Sequence, residues 1–516
     1  MTNLVTDIEE TVAASPEATA IGRRDREITY EEFWTEAGRF ARALADAGVQ
    51  PGDRVGIYLP NLPEFVVAFH GVLRAGAVVV PMNPQYRARE IEHLLADSGA
   101  VAVVALADLV PRVREVAAET DVHTVVSVGG AASGAVEYEE FLADEPMETV
   151  DRADDDVAVQ PYTSGTTGAP KGVLLTHRNL AFEARASPAI HDGIYADDRM
   201  FGALPLFHIY GMTVTMLATF YEGGSYWPVP EWDAGETLEL IDEVGITILH
   251  GVPAMYNDLV NHPDAPDYDL ATVRFANAGG ASLPLEVMRR FEELFEPRLL
   301  EGYGLTETAP VTHANRPDDR RPGSIGKPIP GVESTVVDAD FEALEPVERG
   351  PVDDETDLDE VVGEIVVSGP NVMAGYDDRP EANEEAFTVD EDEVEWFHTG
   401  DLGYHDEDGF FYVVDREKHM IVTGGYNVYP REVEELLFEH PAVADVAVVG
   451  VPDERRGETV TAYVVAQPDA DVTADEITEY CLEHLAAYKH PREVRFVDEL
   501  PRTATGKVQK FELRDE

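Results

Sequence analysis

The sequence predicts an α/β protein with a large N-terminal domain of α/β layers and parallel-rich sheets, followed by a small α+β C-terminal domain. Three observations carry this expectation. Strand-like apolar runs alternate with helical patterns, the character of the chain changes near Asp415, and 516 residues exceed what one simple core holds. The domains are placed at residues 1–416 and 417–516.

Taken in order, Thr29-Tyr30-Glu31-Glu32 has the form of a capping box. It opens a helix in which Phe33, Ala37, Phe40, Ala41 and Leu44 recur at helical spacing until Gly48. A strand over 55–59, a mostly apolar helix around 65–73 and the run Val78-Val79-Val80 follow, the alternation of a parallel sheet covered on both faces. Strand-like runs recur at 101–105 and 125–128, and a helix over 238–244 precedes a strand over 246–249. Residues 338–362 are densely acidic, including Asp353-Asp354-Glu355 and Asp359-Glu360, and read as a solvated surface loop. After a strand-like run at 410–414, the last hundred residues have their own short strands at 446–449 and 461–465 and a helix over 474–485. The single cysteine, Cys481, lies in that helical pattern as a small core residue and can form no internal disulfide.

Charge narrows the function. Lys and Arg number 38 against 101 Asp and Glu, a net charge of −63. Nucleic-acid binding draws on neutralised phosphates, so it is excluded as an expectation. An acidic excess this even reads as a surface adapted to a high-salt cytoplasm, where screening relieves self-repulsion. The first residues carry no basic leader and no uninterrupted apolar run is long enough to span a membrane, so a cytoplasmic protein is expected.

The chemistry concentrates in Tyr162-Thr163-Ser164-Gly165-Thr166-Thr167-Gly168-Ala169-Pro170-Lys171-Gly172. Glycines admit unusual φ values, successive N–H groups and hydroxyls offer donors, and Lys171 adds a point charge, which together suit a polyphosphate. Gly172 after the lysine and the glycine spacing exclude a Walker A motif. The apolar run Val173-Leu174-Leu175 makes the loop a connection between two strands. A generic Gly/Ser/Thr loop would read as a hairpin turn.

The full string resembles the phosphate-binding loop of the adenylate-forming superfamily, which includes AMP-forming acyl-CoA synthetases, peptide-synthetase adenylation domains and beetle luciferases. Further motifs occur in the family's order and extend the resemblance from Thr29 to Lys507. Pro205-Leu206-Phe207-His208-Ile209-Tyr210-Gly211 looks like the segment that sets His208 against the bound acid. Ala278-Gly279-Gly280-Ala281 is similar to the stretch where backbone approaches adenine and the acyl group. In Glu301-Gly302-Tyr303-Gly304-Leu305-Thr306-Glu307-Thr308, the resemblance implies that Tyr303 stacks on adenine, Thr306 bonds the α-phosphate and Glu307 holds Mg²⁺. In His398-Thr399-Gly400-Asp401, Asp401 would accept both ribose hydroxyls, assisted by Arg416.

Pro501-Arg502-Thr503-Ala504-Thr505-Gly506-Lys507 implies the adenylation lysine, Lys507. Lys418 stands at the family's hinge and counts among the nucleotide contacts. Relatives rotate the small, mobile domain after adenylation, presenting Gly424-Gly425-Tyr426-Asn427. There Gly424 and Gly425 would clear a path for the pantetheine arm of CoA and Asn427 would reach the nucleotide; a turn or helix cap is the other reading. The acyl pocket would be lined by His208, Tyr210, Gly280 and, from Gly251-Val252-Pro253-Ala254-Met255-Tyr256, Tyr256.

The implied activity is ATP-dependent ligation of a carboxylic acid to CoA through an acyl-adenylate, with Lys507, His208, Thr306 and Glu307 as the catalytic set and ATP, Mg²⁺ and CoA as cofactor and co-substrates. Apolar pocket segments without a cation favour a medium- or long-chain fatty acid. An aryl acid such as a cinnamate or benzoate, and a carrier protein as acyl acceptor, are the alternatives. A homodimer is compatible with the sequence. Val422, where some relatives carry a basic residue, departs from the pattern.

Overall fold

The computed structural model describes residues 3–163, 170–190, 193–352, 356, 358–424, 426–453, 455–468, 470, 472–503 and 506–514. Its first helix in the βα series, Tyr30–Asp46, begins as the capping box requires: Thr29 Oγ1 accepts the Glu32 N–H at 3.2 Å, and Glu32 Oε2 accepts the Thr29 N–H at 3.0 Å. Phe33, Ala37, Phe40, Ala41 and Leu44 are buried on one face, against the almost wholly buried helix Pro63–Arg74.

The alternation builds two parallel-rich sheets. The first orders its strands Leu175–Thr176, Val157–Val159, Val78–Pro81, Arg54–Tyr58, Ala100–Leu106, Thr124–Val128 and Val136–Glu137, with only the Leu175–Thr176 edge antiparallel. Val78–Pro81 is buried along its length, as an unbroken apolar run in a covered parallel sheet should be. In the second, nine-stranded sheet, Phe275–Ala278 lies between Ile248–Gly251 and Leu299–Gly304, all three parallel.

The strand expected at 246–249 begins two residues later, at Ile248. Gly245 caps the preceding helix Ala234–Val244 in the left-handed region (φ 70°), and the Ile246 N–H still bonds back to the Ile241 carbonyl. Thr247 then gives its hydroxyl to Asp198 at 2.6 Å.

A five-stranded antiparallel sheet follows: Glu333–Val337, Gly363–Ser368, Phe387–Val389, Glu395–His405 and Phe411–Arg416. In the acidic stretch between its first two strands the described carboxylates Asp338, Asp340, Glu342, Glu345 and Glu348 are exposed, as a solvated surface loop requires, while Val347, Val352 and Val362 anchor it on the buried rings of Tyr404, Phe410 and Tyr412. Asp353-Asp354-Glu355 lies outside the described residues, as does the side chain of Asp359.

The last sheet takes Ile421–Thr423, Tyr426–Val428, Val443–Asp453, Gly457–Ala466 and Glu493–Phe496, flanked by helices Pro430–Phe438 and Ala474–His484. It has its own core, in which Cys481 is fully buried beside Val446, Val464 and Ile477. Among the described residues no helix is long and apolar enough to cross a membrane.

Candidate active site

The site forms where the parallel strands of the nine-stranded sheet end. Gly251 pairs with Ala278, and Ala278 with Glu301, so small residues leave space at the carboxyl edge, where α/β sheets hold ligands. Two adjoining hollows occupy it, one of about 860 Å³ and one of about 240 Å³; Gly280, Gly302, Tyr303, Gly304, Arg416, Arg502 and Lys507 line both.

Thr163 and Lys171 face each other across a two-stranded antiparallel ladder, so the Gly/Thr loop does join two strands. Both line the large hollow. Ser164, Gly165, Thr166, Thr167 and Gly168 lie outside the described residues. Lys171 Nζ sits 4.8 Å from the centroid of the Tyr376 ring, and the Tyr376 hydroxyl donates to Glu307 Oε1 at 2.9 Å. Thr306 and Glu307 form a single 3₁₀ turn beyond Gly304, which has no room for a side chain: an added Cβ would stand 1.8 Å from the Pro310 carbonyl oxygen.

Asp401 and Arg416 are direct cross-strand partners. Asp401 is 3% exposed, accepts the Tyr303 hydroxyl at 2.5 Å and pairs with Arg416 Nε at 2.8 Å. The carboxylate raises the pKa of Arg416 further, and burial followed by the same carboxylate raises that of Tyr303. Upstream, Gly400 (φ 68°) and His398 are both held by Glu364, whose oxygens accept the Gly400 N–H at 2.9 Å and bond His398 Nδ1 at 2.8 Å.

On the opposite wall, burial and the charge of Lys507 hold His208 down to about 4, so its imidazole is neutral at physiological pH. The Tyr210 hydroxyl bonds His250 Nδ1 at 3.1 Å and accepts from Asn277 Nδ2 at 2.9 Å, fixing its ring beside Gly279. Gly280 (φ 80°) lines both hollows and Ala281 the smaller. Glu301 is 2% exposed, accepts the Leu283 N–H at 3.2 Å and is pushed up to about 7 by burial.

Lys507 enters from the C-terminal segment. Its N–H bonds Thr503 Oγ1 at 3.1 Å, and Arg502 reaches back to the Gly506 carbonyl at 2.7 Å. Burial, then Arg416, lowers its ammonium to about 8, against the pull of Asp401.

Other expected residues stand apart. Tyr256 is a correction: it is 1% exposed in the core, its hydroxyl donating to the Leu249 and Asn277 carbonyls, and it lines neither hollow. A phenol satisfied by two backbone oxygens is a core group, whatever its neighbours in sequence. Gly424, Asn427 and the exposed Lys418 line neither hollow in this arrangement, and Gly425 lies outside the described residues. Tyr376, Asn277 and His250 were not singled out from sequence; Asn277 stands directly before Ala278-Gly279-Gly280, the one hint available. Among the described residues no group of three or more His, Cys, Asp or Glu side chains is arranged to hold a metal.

A large lobe with its cavity at parallel strand ends, lined also by a lysine from a small C-terminal lobe, has the architecture of an α/β enzyme that binds its ligand at the strand ends. Residues 8–377 match the model of the AMP-binding enzyme family, and 432–507 that of the AMP-binding enzyme C-terminal domain. The chain belongs to that family and is an adenylate-forming acyl-CoA ligase, an AMP-forming acid–thiol ligase of a family whose substrates are ATP and CoA.

The long-chain-fatty-acid–CoA ligase of Bacillus subtilis is 36% identical over 99% of this chain and 93% of its own length. A feruloyl-CoA synthase of Amycolatopsis is 36% identical over 97% and 96%. ATP-bound MatB of Rhodopseudomonas palustris superposes with a TM-score of 0.89 at 33% identity, covering 99% of this chain and 98% of that one; against the apo form the score is 0.78.

Proposed function

We propose that this enzyme joins a medium- or long-chain fatty acid to CoA through an acyl-adenylate, releasing pyrophosphate and then AMP. The observation that carries the choice of acid is the acyl end of the large hollow. Phe207, Ile209, Val214 and Val252 line it, and its two imidazoles are neutral, His208 held to about 4 and His250 to about 3 by burial. Those side chains carry no cation of their own, which suits one carboxylate on a hydrocarbon body and disfavours a second carboxylate. An aryl acid is the second reading, favoured by the Tyr210 phenol and its bonds to His250 and Asn277, which offer polar partners to a ring substituent.

In this reading Asp401 accepts the ribose hydroxyls, with Arg416 holding its carboxylate in place. Tyr303 stacks on adenine against the Gly280-Ala281 backbone; Thr163 to Gly168, Lys171 and Thr306 take the phosphates. Lys507 touches both the attacking carboxylate and the α-phosphate and reduces the repulsion between two anions. Glu307 fits Mg²⁺: one oxygen accepts from Tyr376, leaving the other, and one carboxylate beside substrate phosphates is an ordinary Mg²⁺ site. When bound, the cation neutralises phosphate charge as pyrophosphate leaves. For thioester formation the 417–516 domain turns about Lys418, withdrawing Lys507 and bringing Gly424, Gly425 and Asn427 to the site.

The test is AMP release across a panel of fatty and aromatic acids with CoA, at high KCl. Fatty acids should give the highest kcat/KM; faster turnover of cinnamates or benzoates would replace the first reading with the second. Saturation by CoA distinguishes both from loading of a carrier protein.

A further inference from the structure

Lys171 and Glu307 face the same hollow with opposite charges, yet among the described residues no ion pair within 4.0 Å engages either one. Tyr376 stands between them. Its ring takes the Lys171 ammonium at 4.8 Å and its hydroxyl donates to Glu307 at 2.9 Å. Neither contact cancels a charge, whereas a direct lysine–carboxylate pair would neutralise both groups before a ligand arrived.

The tyrosine is itself held. Asn383 grips its backbone from both sides, accepting the Tyr376 N–H at 2.7 Å and donating to the Tyr376 carbonyl at 3.0 Å. The same segment is strapped to the stretch that follows Lys171, with Leu174 N–H to Gly375 O, Ala374 N–H to Leu174 O and Asp377 N–H to Gly172 O, each at 2.9 Å. It also donates the Met373 N–H to the Glu307 carbonyl at 2.8 Å. Residues 373–377 thus connect two segments more than a hundred residues apart in sequence.

We propose that Tyr376 is a positioning residue that keeps Lys171 and Glu307 apart and separately aimed, the ammonium at phosphate oxygens and the carboxylate at the divalent cation. This rests on the reading of those two residues as phosphate and cation ligands. The ring and the hydroxyl have separable tasks, so two substitutions divide them.

The full chain is loaded with a non-hydrolysable ATP analogue. Bound Mn²⁺ is read by electron paramagnetic resonance, and affinity for the metal-free analogue by calorimetry. Tyr376→Phe keeps the spacer but loses the bond to Glu307: Mn²⁺ affinity should fall about fivefold while the metal-free analogue binds as before. Tyr376→Leu loses both, and the metal-free analogue should also weaken, by about tenfold, as Lys171 turns to Glu307. Asn383→Ala, which leaves the phenol intact, should weaken both ligands. Unchanged Mn²⁺ affinity in Tyr376→Phe, or equal analogue affinity in the Phe and Leu variants, overturns the inference. Glu307→Gln separates the layers: if it weakens Mn²⁺ and Tyr376→Phe does not, only the role of Tyr376 fails; if it has no effect, the reading of Glu307 fails and takes the inference with it.

Discussion

Lys507 lends itself to a pH test whose sign follows from its surroundings. Burial, Arg416, Lys418 and Lys510 bring its pKa from the ordinary 10.5 to about 8, with only Asp401 opposing. That gap corresponds to at most about 3 kcal/mol, less whatever solvent screening reaches a partly exposed side chain. Below pH 8 the lysine is charged in both folded and unfolded chains, and the ligand-free protein bears the full cost. Between pH 8 and 10.5 the folded form sheds its proton first, so stability from this group rises with pH. Activity should move the other way, because the proposed role needs the cation. In acid-dependent ATP–pyrophosphate exchange, which avoids the CoA thiol, kcat/KM for ATP should fall about tenfold per pH unit above about 8. Lys507→Arg should lose that limb, since a guanidinium does not titrate there. Lys507→Met should slow exchange by about a hundredfold or more, yet give a ligand-free protein more stable than the parent at pH 7 and no more stable near pH 10.5. An alkaline limb that survives unchanged in Lys507→Arg would refute the assignment.

Asp401→Asn keeps an acceptor for Tyr303 but leaves Arg416 without its charge partner; KM for ATP should rise about tenfold to a hundredfold, measured at saturating acid. Gly304→Ala forces a Cβ to 1.8 Å from the Pro310 carbonyl, so the turn carrying Thr306 and Glu307 must shift. A melting temperature unchanged from the parent would contradict that packing. With a net charge of −63, the protein should melt at markedly higher temperature in molar KCl than at low salt, as the Debye length shrinks from about 10 Å to about 3 Å. Superimposable melts would remove the case for adaptation to salt.

Local signals were legible in the sequence and cross-chain ones were not. Thr29 and Glu32 announce their helix because a capping box is complete within four residues. The Gly/Thr loop was read as joining strands from the apolar run Val173-Leu174-Leu175, and it does join them, though the strand that closes it is Lys171–Gly172. Asp401 and Arg416 were both singled out, but their pairing depends on the register of an antiparallel ladder. Tyr376 could not be found this way: its partners come from positions 171, 307 and 383. Tyr256 shows the converse error, since an aromatic in an apolar segment near a pocket motif looks the same whether its hydroxyl faces substrate or a backbone carbonyl. The valines of the acidic stretch were outvoted by its carboxylates in composition, but they decide where that stretch lies.

The large hollow gathers Lys171, Arg416, Arg502 and Lys507 inside a molecule whose net charge is −63. ATP and CoA are themselves polyanions, so at low ionic strength they meet a repulsive envelope long before they come within reach of those four cations. Added salt thins the envelope while leaving the sheltered contacts largely intact. Encounter with both nucleotides should therefore quicken as ionic strength rises, the reverse of the usual electrostatically steered enzyme.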